Sequence, residues 1–251
     1  MNHYIWFYSL LGILIGSFLN LCIDRLPLGG SILTPPSHCP ACQRQLTPLE
    51  LIPVFSYLIL KGRCKDCGDR IPIRILLVEL GTGILFFLIW HRFGISWETL
   101  LVSIYTCVLI IIAGIDLKYH KVLNIIVLPA IILGLIMVLV LHLDNIWSFL
   151  GGAGLGFAVL FLIAVIAPGS MGMGDVKLVV FLGLVVGFPE IVVNLFMAFI
   201  LGGLVAGILL ALKRIGPKDQ IAFAPYLALS GFITLLYGTQ LVNFWVRSLG
   251  G

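Results

Sequence analysis

Long apolar stretches alternate with short polar ones along almost the whole chain. A helix needs about 20 apolar residues to cross the hydrocarbon core of a bilayer, and eight stretches approach that length. The predicted membrane helices cover residues 4–23, 73–90, 97–115, 123–142, 148–167, 175–188, 190–212 and 222–246. The sixth is the shortest. The pattern predicts an all-α polytopic membrane protein with about eight transmembrane helices.

One sizeable polar segment, residues 24–72, separates the first two predicted helices. We expect three parts: a first transmembrane helix over residues 1–23, this polar segment, and a seven-helix membrane domain over residues 73–251. The first apolar run follows no Lys or Arg and precedes no small-residue cleavage site. It is therefore expected to be retained rather than removed as a signal peptide.

Composition agrees with a membrane protein. The 251 residues are 61% hydrophobic and 10% charged, whereas soluble domains are about 45–50% apolar and about 25% charged. The net charge of +4 is modest, and it is typical of basic loops beside a membrane rather than of a nucleic-acid-binding surface. Lipid is the expected partner and nucleic acid is not, and the pattern carries no signal of oligomeric state.

The positions of Lys and Arg predict an orientation. With eight membrane helices, 13 of the 15 Lys and Arg residues fall on one side, and only Arg92 and Arg247 fall on the other. Cytoplasmic loops are enriched in Lys and Arg, so the basic side is predicted to be cytoplasmic and both termini to be outside. The polar segment then lies in the cytoplasm.

Two CxxC pairs lie in the polar segment, separated by 21 residues. Their cysteines are Cys39, Cys42, Cys64 and Cys67. Paired CxxC turns bring four thiolates around one zinc ion, and four protein ligands make such a site structural. Gly68 supplies a residue that tolerates positive φ after the second pair. Disulfides are the alternative, which a reducing cytoplasm disfavours.

Asp116 and Asp175 lie at the predicted cytoplasmic boundary of the membrane, 59 residues apart. Each could be a solvated charge at a helix end. Gly172 and Gly174 precede Asp175, and they favour close approach of another chain or a substrate strand. Two neighbouring carboxylates share one proton, as in aspartic proteases. The sequence therefore predicts Asp116 and Asp175 as the catalytic pair, with the two glycines at the substrate approach.

Glu79 lies a turn or two inside the second predicted helix. An acid at membrane depth is a functional candidate, although pairing with a nearby Arg explains it equally well. His120 follows Asp116 in the next loop, where it either is solvated or titrates beside the site.

Ordered blocks of sequence resemble a known family. The blocks GSFLNLCIDRLP (16–27), the two CxxC pairs, IPVFSYLILKGRC (52–64), IRILLVELGTG (73–83), GMGDVKL (172–178) and IAFAPYLALSG (221–231) are similar, in that order, to the bacterial type IV prepilin peptidases. GMGD also resembles the GxGD signature of intramembrane aspartyl proteases. The resemblance covers nearly the whole chain.

The resemblance implies a bifunctional enzyme of the bacterial cytoplasmic (inner) membrane. One activity cleaves the short basic leader of prepilins or pseudopilins on the cytoplasmic side, after a glycine. The other methylates the new N-terminal amine from S-adenosylmethionine. By motif, the family's catalytic aspartates fall on Asp116 and Asp175, and its cysteine tetrad falls on the two CxxC pairs.

Methyl transfer leaves a weaker trace. No GxGxxG follows a strand, so a Rossmann-type cofactor site is not predicted. The resemblance places methylation near the polar segment, with Asn20, Arg25 and Glu79 as candidate cofactor-binding residues. The chain also departs from the family pattern, because Val122-Leu123-Asn124 stands where an Ile-Pro-Asp or similar triplet is usual.

Three other functions stay open. A leader peptidase without methylation has the same motifs. A transporter could relay protons through two carboxylates, and a thiol oxidoreductase could use the CxxC pairs.

Overall fold

A computed structural model describes residues 3–167, 169, 171–214, 216 and 221–249. Within these residues the structure is helical, and no strand is present beyond two isolated bridges. The α-helices are α1 (Tyr4–Arg25), α2 (Phe55–Ile59), α3 (Ile73–Phe93), α4 (Trp97–Tyr119), α5 (Asn124–Leu141), α6 (Ile146–Ile166), α7 (Met173–Val186), α8 (Glu190–Ala211) and α9 (Ala224–Leu249). The all-α prediction is confirmed.

Seven helices in the described part of the chain are long and apolar enough to cross a membrane: α1, α3, α4, α5, α6, α8 and α9. The eighth predicted membrane helix is α7, which has 14 residues. That length corresponds to about 21 Å, which is shorter than a hydrocarbon core of about 30 Å. The protein is therefore a multi-pass membrane protein with seven candidate spans in its described part, and α7 and α2 are shorter helices.

The chain divides into two compact units, residues 1–111 and 112–251, with the division inside α4. In the first unit, α1 packs closely on α3 through glycines. A Cβ at Gly16 would lie 2.9 Å from the Cα of Glu79, and a Cβ at Gly12 would lie 2.8 Å from the Phe86 side chain. Small residues allow the close backbone approach that stabilises helix pairs in lipid.

In the second unit, α7 is the central helix, because α5, α6, α8 and α9 all contact it. Eight of its 14 residues are buried. An all-apolar sequence suits either a lipid-facing or a buried helix, and the contacts of α7 show that it is buried. The short helix is therefore a core element rather than a lipid-facing one.

The pairing of α6 and α7 shows how far α7 extends. The two helices run antiparallel, since Gly152 lies against Gly183 and Gly156 lies against Val179. At the far end, the Phe188 N–H donates to the Ser148 carbonyl, 3.0 Å away. The same register puts Asp175 about 9 Å inside the end of α6. The helix α7 is shorter than α6 because its first turn lies beside the middle of the C-terminal half of α6 and not beside the end of α6.

Candidate functional sites

The four predicted cysteine ligands lie together in the first unit. Their sulfur atoms are all within 4.8 Å of one another, and none is in a disulfide. The Sγ atoms of Cys39 and Cys67 are 3.8 Å apart. A tetrahedron with metal–sulfur distances of about 2.3 Å has edges of about 3.8 Å, so these positions suit zinc.

The two CxxC turns have the same backbone design. The N–H of Gln43 donates to the Cys39 carbonyl and the N–H of Gly68 to the Cys64 carbonyl, at 2.9 and 3.0 Å. Gln43 has φ 58° and Gly68 has φ 73°. The second value confirms the predicted role of Gly68. The first shows that the left-handed position exists in both turns, although only one carries glycine.

Arg44 links the two turns. Its guanidinium makes a two-pronged ion pair with Glu50, at 2.6 and 3.1 Å, and its Nε lies 2.6 Å from Asp66 between the second pair of cysteines. Hydrogen bonds from Arg44, and from the backbone of Thr47, hold the pKa of Glu50 down at about 2. No sequence pattern signalled this link, because the partners belong to different turns.

The four thiol groups need a bound cation if they are to be ionised together. Backbone N–H groups of Cys67 and Asp66 lower the pKa of the Cys64 thiol to about 6. The pKa of Cys67 is lowered by the Asp69 N–H, but burial and the neighbouring thiols outweigh this and raise it to about 12. Four thiolates this close together cannot all ionise without a metal ion to offset their charge. The cluster could therefore hold a metal ion, and its residues fit zinc.

The two predicted catalytic acids lie together in the second unit. Asp116 is near the end of α4 and Asp175 is in the first turn of α7, and they are only 6% and 8% exposed. Both line one cavity of about 330 Å³. The other lining residues are His120, Lys121, Val122, Leu123, Asn124, Gly172 and Gly174. All four residues that the sequence predicted for this site are therefore brought to one cavity.

Each acid faces the N-terminus of a helix. The N–H of Ala224, the first residue of α9, donates to Asp116 Oδ2 at 3.1 Å. Asp175 is the third residue of α7, where the helix macrodipole also favours negative charge. Its Oδ1 is buried and has no hydrogen-bond partner among the described residues. A partly neutralised pair of this kind can hold one negative charge and one shared proton.

The two glycines before Asp175 have different neighbours. A Cβ at Gly172 would lie 3.3 Å from Asp175 Oδ2. A Cβ at Gly174 would lie 2.5 Å from the Cβ of Val122, a distance that real Cβ atoms do not adopt. The space at Gly174 is thus occupied by the chain's own loop between α4 and α5, which holds that loop against the start of α7.

The triplet Val122-Leu123-Asn124 forms this loop. Leu123 precedes α5 with φ −80° and ψ 129°, an angle that proline also adopts. The Oδ1 of Asn124 accepts a hydrogen bond from Lys177 Nζ at 2.8 Å. Leu123 therefore has backbone angles that a proline at this position could also adopt. His120 is exposed at the cavity with φ 50°.

The three candidate cofactor residues have structural partners. Asn20 Nδ2 donates to the Ile75 carbonyl at 3.0 Å, and Arg25 donates to the Ser31 carbonyl at 2.9 Å. Glu79 is 4% exposed, and its Oε2 accepts the Val54 N–H at 2.7 Å. These contacts do not define a methyl-donor site, so no step of methyl transfer is assigned to them.

Sequence reasoning missed the polar network at this end of α1 and α3. Arg74 pairs with both carboxylate oxygens of Asp24 at 2.8 Å and also donates to Asn20. An arginine is thus present near Glu79, but its ion-pair partner is Asp24. The sequence feature that could have indicated this network is an acid and a base, Asp24 and Arg74, near the facing ends of two consecutive membrane helices.

These features define a class of protein: a multi-pass helical membrane protein that combines a four-cysteine cluster with two buried carboxylates on one cavity. Residues 10–93 match the bacterial peptidase A24 N-terminal domain. Residues 103–207 match the type IV leader peptidase family.

Relatives align with the chain over nearly its whole length. A Bacillus subtilis (strain 168) protein named prepilin leader peptidase/N-methyltransferase is 35% identical over 236 residues, which cover 94% of this chain and 95% of the relative. Proteins of the same name from Pseudomonas aeruginosa and Neisseria gonorrhoeae are each 33% identical, covering 96% and 95% of this chain and 93% of each relative. No solved structure gives a significant match. The chain belongs to the type IV leader peptidase family, as the sequence resemblance indicated.

Proposed function

We propose that this chain is a membrane aspartic endopeptidase that cleaves the leader of type IV prepilins or pseudopilins, and that it N-methylates the new N-terminal residue from S-adenosylmethionine. The observation that carries the peptidase proposal is the pair of buried carboxylates, Asp116 and Asp175, on one cavity. The names of the relatives support the substrate class and the second activity.

The chemistry follows from proton sharing. In the pair, the ionised carboxylate takes a proton from water as the water attacks the scissile carbonyl. The protonated carboxylate donates a hydrogen bond to the carbonyl oxygen as negative charge develops there. The N–H of Ala224 supports charge on Asp116 throughout. This route uses only the residues of the chain itself.

The conformation of the substrate follows from the chemistry of attack. In an α-helix each carbonyl accepts a hydrogen bond from the N–H four residues on, and the side chains surround the backbone. Water cannot reach such a carbonyl in line with an acid pair. We therefore infer that the cleavage site enters the cavity beside Gly172 and Gly174 as extended chain, with its helical hydrogen bonds opened before attack.

The test is cleavage of a prepilin in detergent by purified Asp116→Asn and Asp175→Asn variants. Each substitution removes a proton-sharing partner while keeping the shape, so each should reduce turnover by at least about 10³-fold. Asp144→Asn, which changes an exposed acid, is the matched control and should keep full turnover. Near-normal cleavage by either cavity variant would remove that residue from the pair.

Zinc is the metal we propose for the cysteine cluster, in a structural role. With all four positions taken by protein sulfur, no position is open for a substrate or water. The polar segment buries little apolar core, and a metal is a common means of stabilising such a small unit. We also propose three parts of the chain: a first membrane helix over residues 1–23, a metal-binding segment over residues 24–72 and a membrane domain over residues 73–251. The cysteine cluster lies in the middle part and separates the other two along the chain.

For orientation, we propose that the cysteine segment and the acid pair face the cytoplasm and that both termini are outside. The distribution of Lys and Arg supports this, provided that α7 carries the chain across. The contact between Phe188 and Ser148 supports a crossing, since it brings the end of α7 to the start of α6. Cysteine-accessibility labelling should find residues near 62, 119, 170 and 216 inside and residues near 93, 144 and 189 outside. Labelling of the loops near 170 and 216 from opposite sides would contradict a crossing by α7.

A peptidase without methylation is the second candidate, because the three candidate cofactor residues all have structural partners. Mass spectrometry of a pilin matured by the purified enzyme with S-adenosylmethionine distinguishes the two. A mass increase of one methyl group on the new N-terminal residue supports both activities, and an unmodified N-terminus supports cleavage alone.

A further inference from the structure

The segment of residues 49–59, which we call the surface segment, exposes an unusual amount of apolar side chain. Leu49, Leu51, Ile52, Phe55, Leu58 and Ile59 are between 43% and 77% exposed. The segment consists of a 3₁₀ helix, a turn and the short helix α2. Contiguous apolar patches on a polar region mark a binding surface.

A buried hydrogen bond fixes the depth of this segment. Val54 has φ 65° and ψ −54°, and the Phe55 N–H donates to the Pro53 carbonyl at 2.7 Å, which makes a strained three-residue turn. The Val54 N–H points instead to Glu79 Oε2, 2.7 Å away. Glu79 lies six residues, or about 9 Å, along α3 from Ile73.

The turn therefore lies beside the first two turns of α3, since helical side chains lean towards the N-terminus of their helix. The exposed stripe of α3 begins at the same level. Ile73, Leu77 and Ile84 are about 60% exposed and follow helical spacing. Because α3 is a candidate membrane span, the hydrophobic layer that covers this stripe extends to the level of the turn.

Exposed basic residues follow the surface segment directly. They are Lys61, Arg63, Lys65 and Arg70, and none forms a salt bridge with a described residue. Apolar side chains at the hydrocarbon boundary with adjacent Lys and Arg are typical of elements that lie in the membrane interface and attract anionic headgroups.

We propose that the surface segment is inserted in the interfacial layer of the bilayer, with phospholipid as its occupant. Phe55, Leu58 and Ile59 enter the boundary of the acyl chains, and the basic residues contact anionic headgroups. The buried Glu79 holds the strained turn at Val54 and so fixes the segment at this depth.

The experiment uses the full-length, metal-loaded protein in nanodiscs of mixed zwitterionic and anionic phospholipid. Photoreactive p-benzoylphenylalanine replaces Phe55 in one variant and Ile59 in a second, so that failure of one variant to fold leaves the test intact. Leu77, on the exposed stripe of α3, is the positive control, and Gln43, in the first CxxC turn, is the negative control. Mass spectrometry then measures phospholipid adducts.

Positions 55 and 59 should form lipid adducts at a yield comparable to position 77 and about tenfold or more above position 43. Adducts at 77 without adducts at 55 and 59 would overturn the proposal. So would adducts of 55 and 59 with added prepilin in place of lipid, which would make the segment a substrate-docking surface. These outcomes do not depend on cleavage or methylation, so they are separate from the test of the proposed function.

Discussion

The cysteine cluster and the acid pair are assembled in opposite ways. Each CxxC turn places two of the four sulfurs through local hydrogen bonds, as from Gln43 to Cys39 and from Gly68 to Cys64. The acids are 59 residues apart and come from the end of α4 and the start of α7. The first site depends on the geometry of two short turns, and the second depends on how helices meet.

The surroundings of the cysteine cluster and of the acid pair differ in the same way. Two of the four cluster cysteines are exposed, and none of the four lies in a candidate membrane span. The two acids are buried, and their positions depend on a glycine contact and on the N–H at the start of another helix. A cysteine cluster therefore tolerates changes around it that the acid pair does not.

The largest effect is expected at the acids. The double variant Asp116→Asn/Asp175→Asn should cleave prepilin only slightly more slowly than either single variant, because groups that act as a unit are not additive. Methylation of a pilin that is already cleaved should persist in all three variants. The measurement is turnover of purified enzyme with each substrate. Multiplication of the two single losses in the double variant would show that the acids act separately.

The contact of Gly174 with Val122 provides the next test. Gly174→Ala should reduce cleavage by about 10²-fold, since its Cβ would displace the loop and move the acids out of register. Val122→Gly should restore most of the loss when it is combined with Gly174→Ala, because it removes the atom that the new Cβ meets. Gly154→Ala is the control, since a Cβ there meets nothing within 4 Å.

The outcome of the double variant is decisive for this contact. Failure of Val122→Gly to rescue Gly174→Ala would mean that the glycine serves something other than the approach of the chain's own loop. An extended substrate lying over Gly174 is the alternative, and it predicts a raised KM that Val122→Gly leaves unchanged.

The cysteine cluster should respond more in structure than in cleavage. Cys64→Ser should lose the bound metal, about one zinc ion per wild-type chain, and should open the polar segment to protease. Cleavage should fall far less than in the aspartate variants, and less than methylation. Cys107→Ser, at a cysteine in α4 outside the cluster, is the control and should keep its zinc. Active wild-type enzyme that contains no zinc on metal analysis would contradict the structural-metal proposal.

The sequence predicted the parts of each site that follow local rules. The four clustered cysteines follow from CxxC spacing, and Asp116 and Asp175 follow from their position at predicted helix ends. The contact of Val122 with Gly174 and the pairing of Arg44 with Asp66 were not predictable. Both depend on the path of the backbone between distant residues, and a single sequence gives no signal of that path.

The short helix α7 shows the same limit for the fold. Apolar composition predicted a membrane helix over residues 175–188, and a helix is present there. Its central position could not be predicted, because an apolar sequence fits a lipid-facing helix and a buried helix equally well. The predicted alternative that Glu79 pairs with an arginine was wrong for a related reason. Its partners are the Ser17 side chain and the Val54 N–H, and no sequence pattern marks the second of these.

The smallest expected effect is a gain in stability from Leu123→Pro. Leu123 already has φ −80° and ψ 129° at the cap of α5, and proline there should mainly reduce the conformational entropy of the unfolded chain. The expected gain is about 0.4–1 kcal/mol, measured as a higher Tm in detergent, with cleavage retained. Leu135→Pro, in the interior of α5, is the contrasting control and should cost about 3 kcal/mol through a lost hydrogen bond and a clash. Loss of cleavage in a stable Leu123→Pro enzyme would show that the loop beside the acids must leave this conformation during the reaction. The loop would then be a moving part of its site, which the CxxC turns are not.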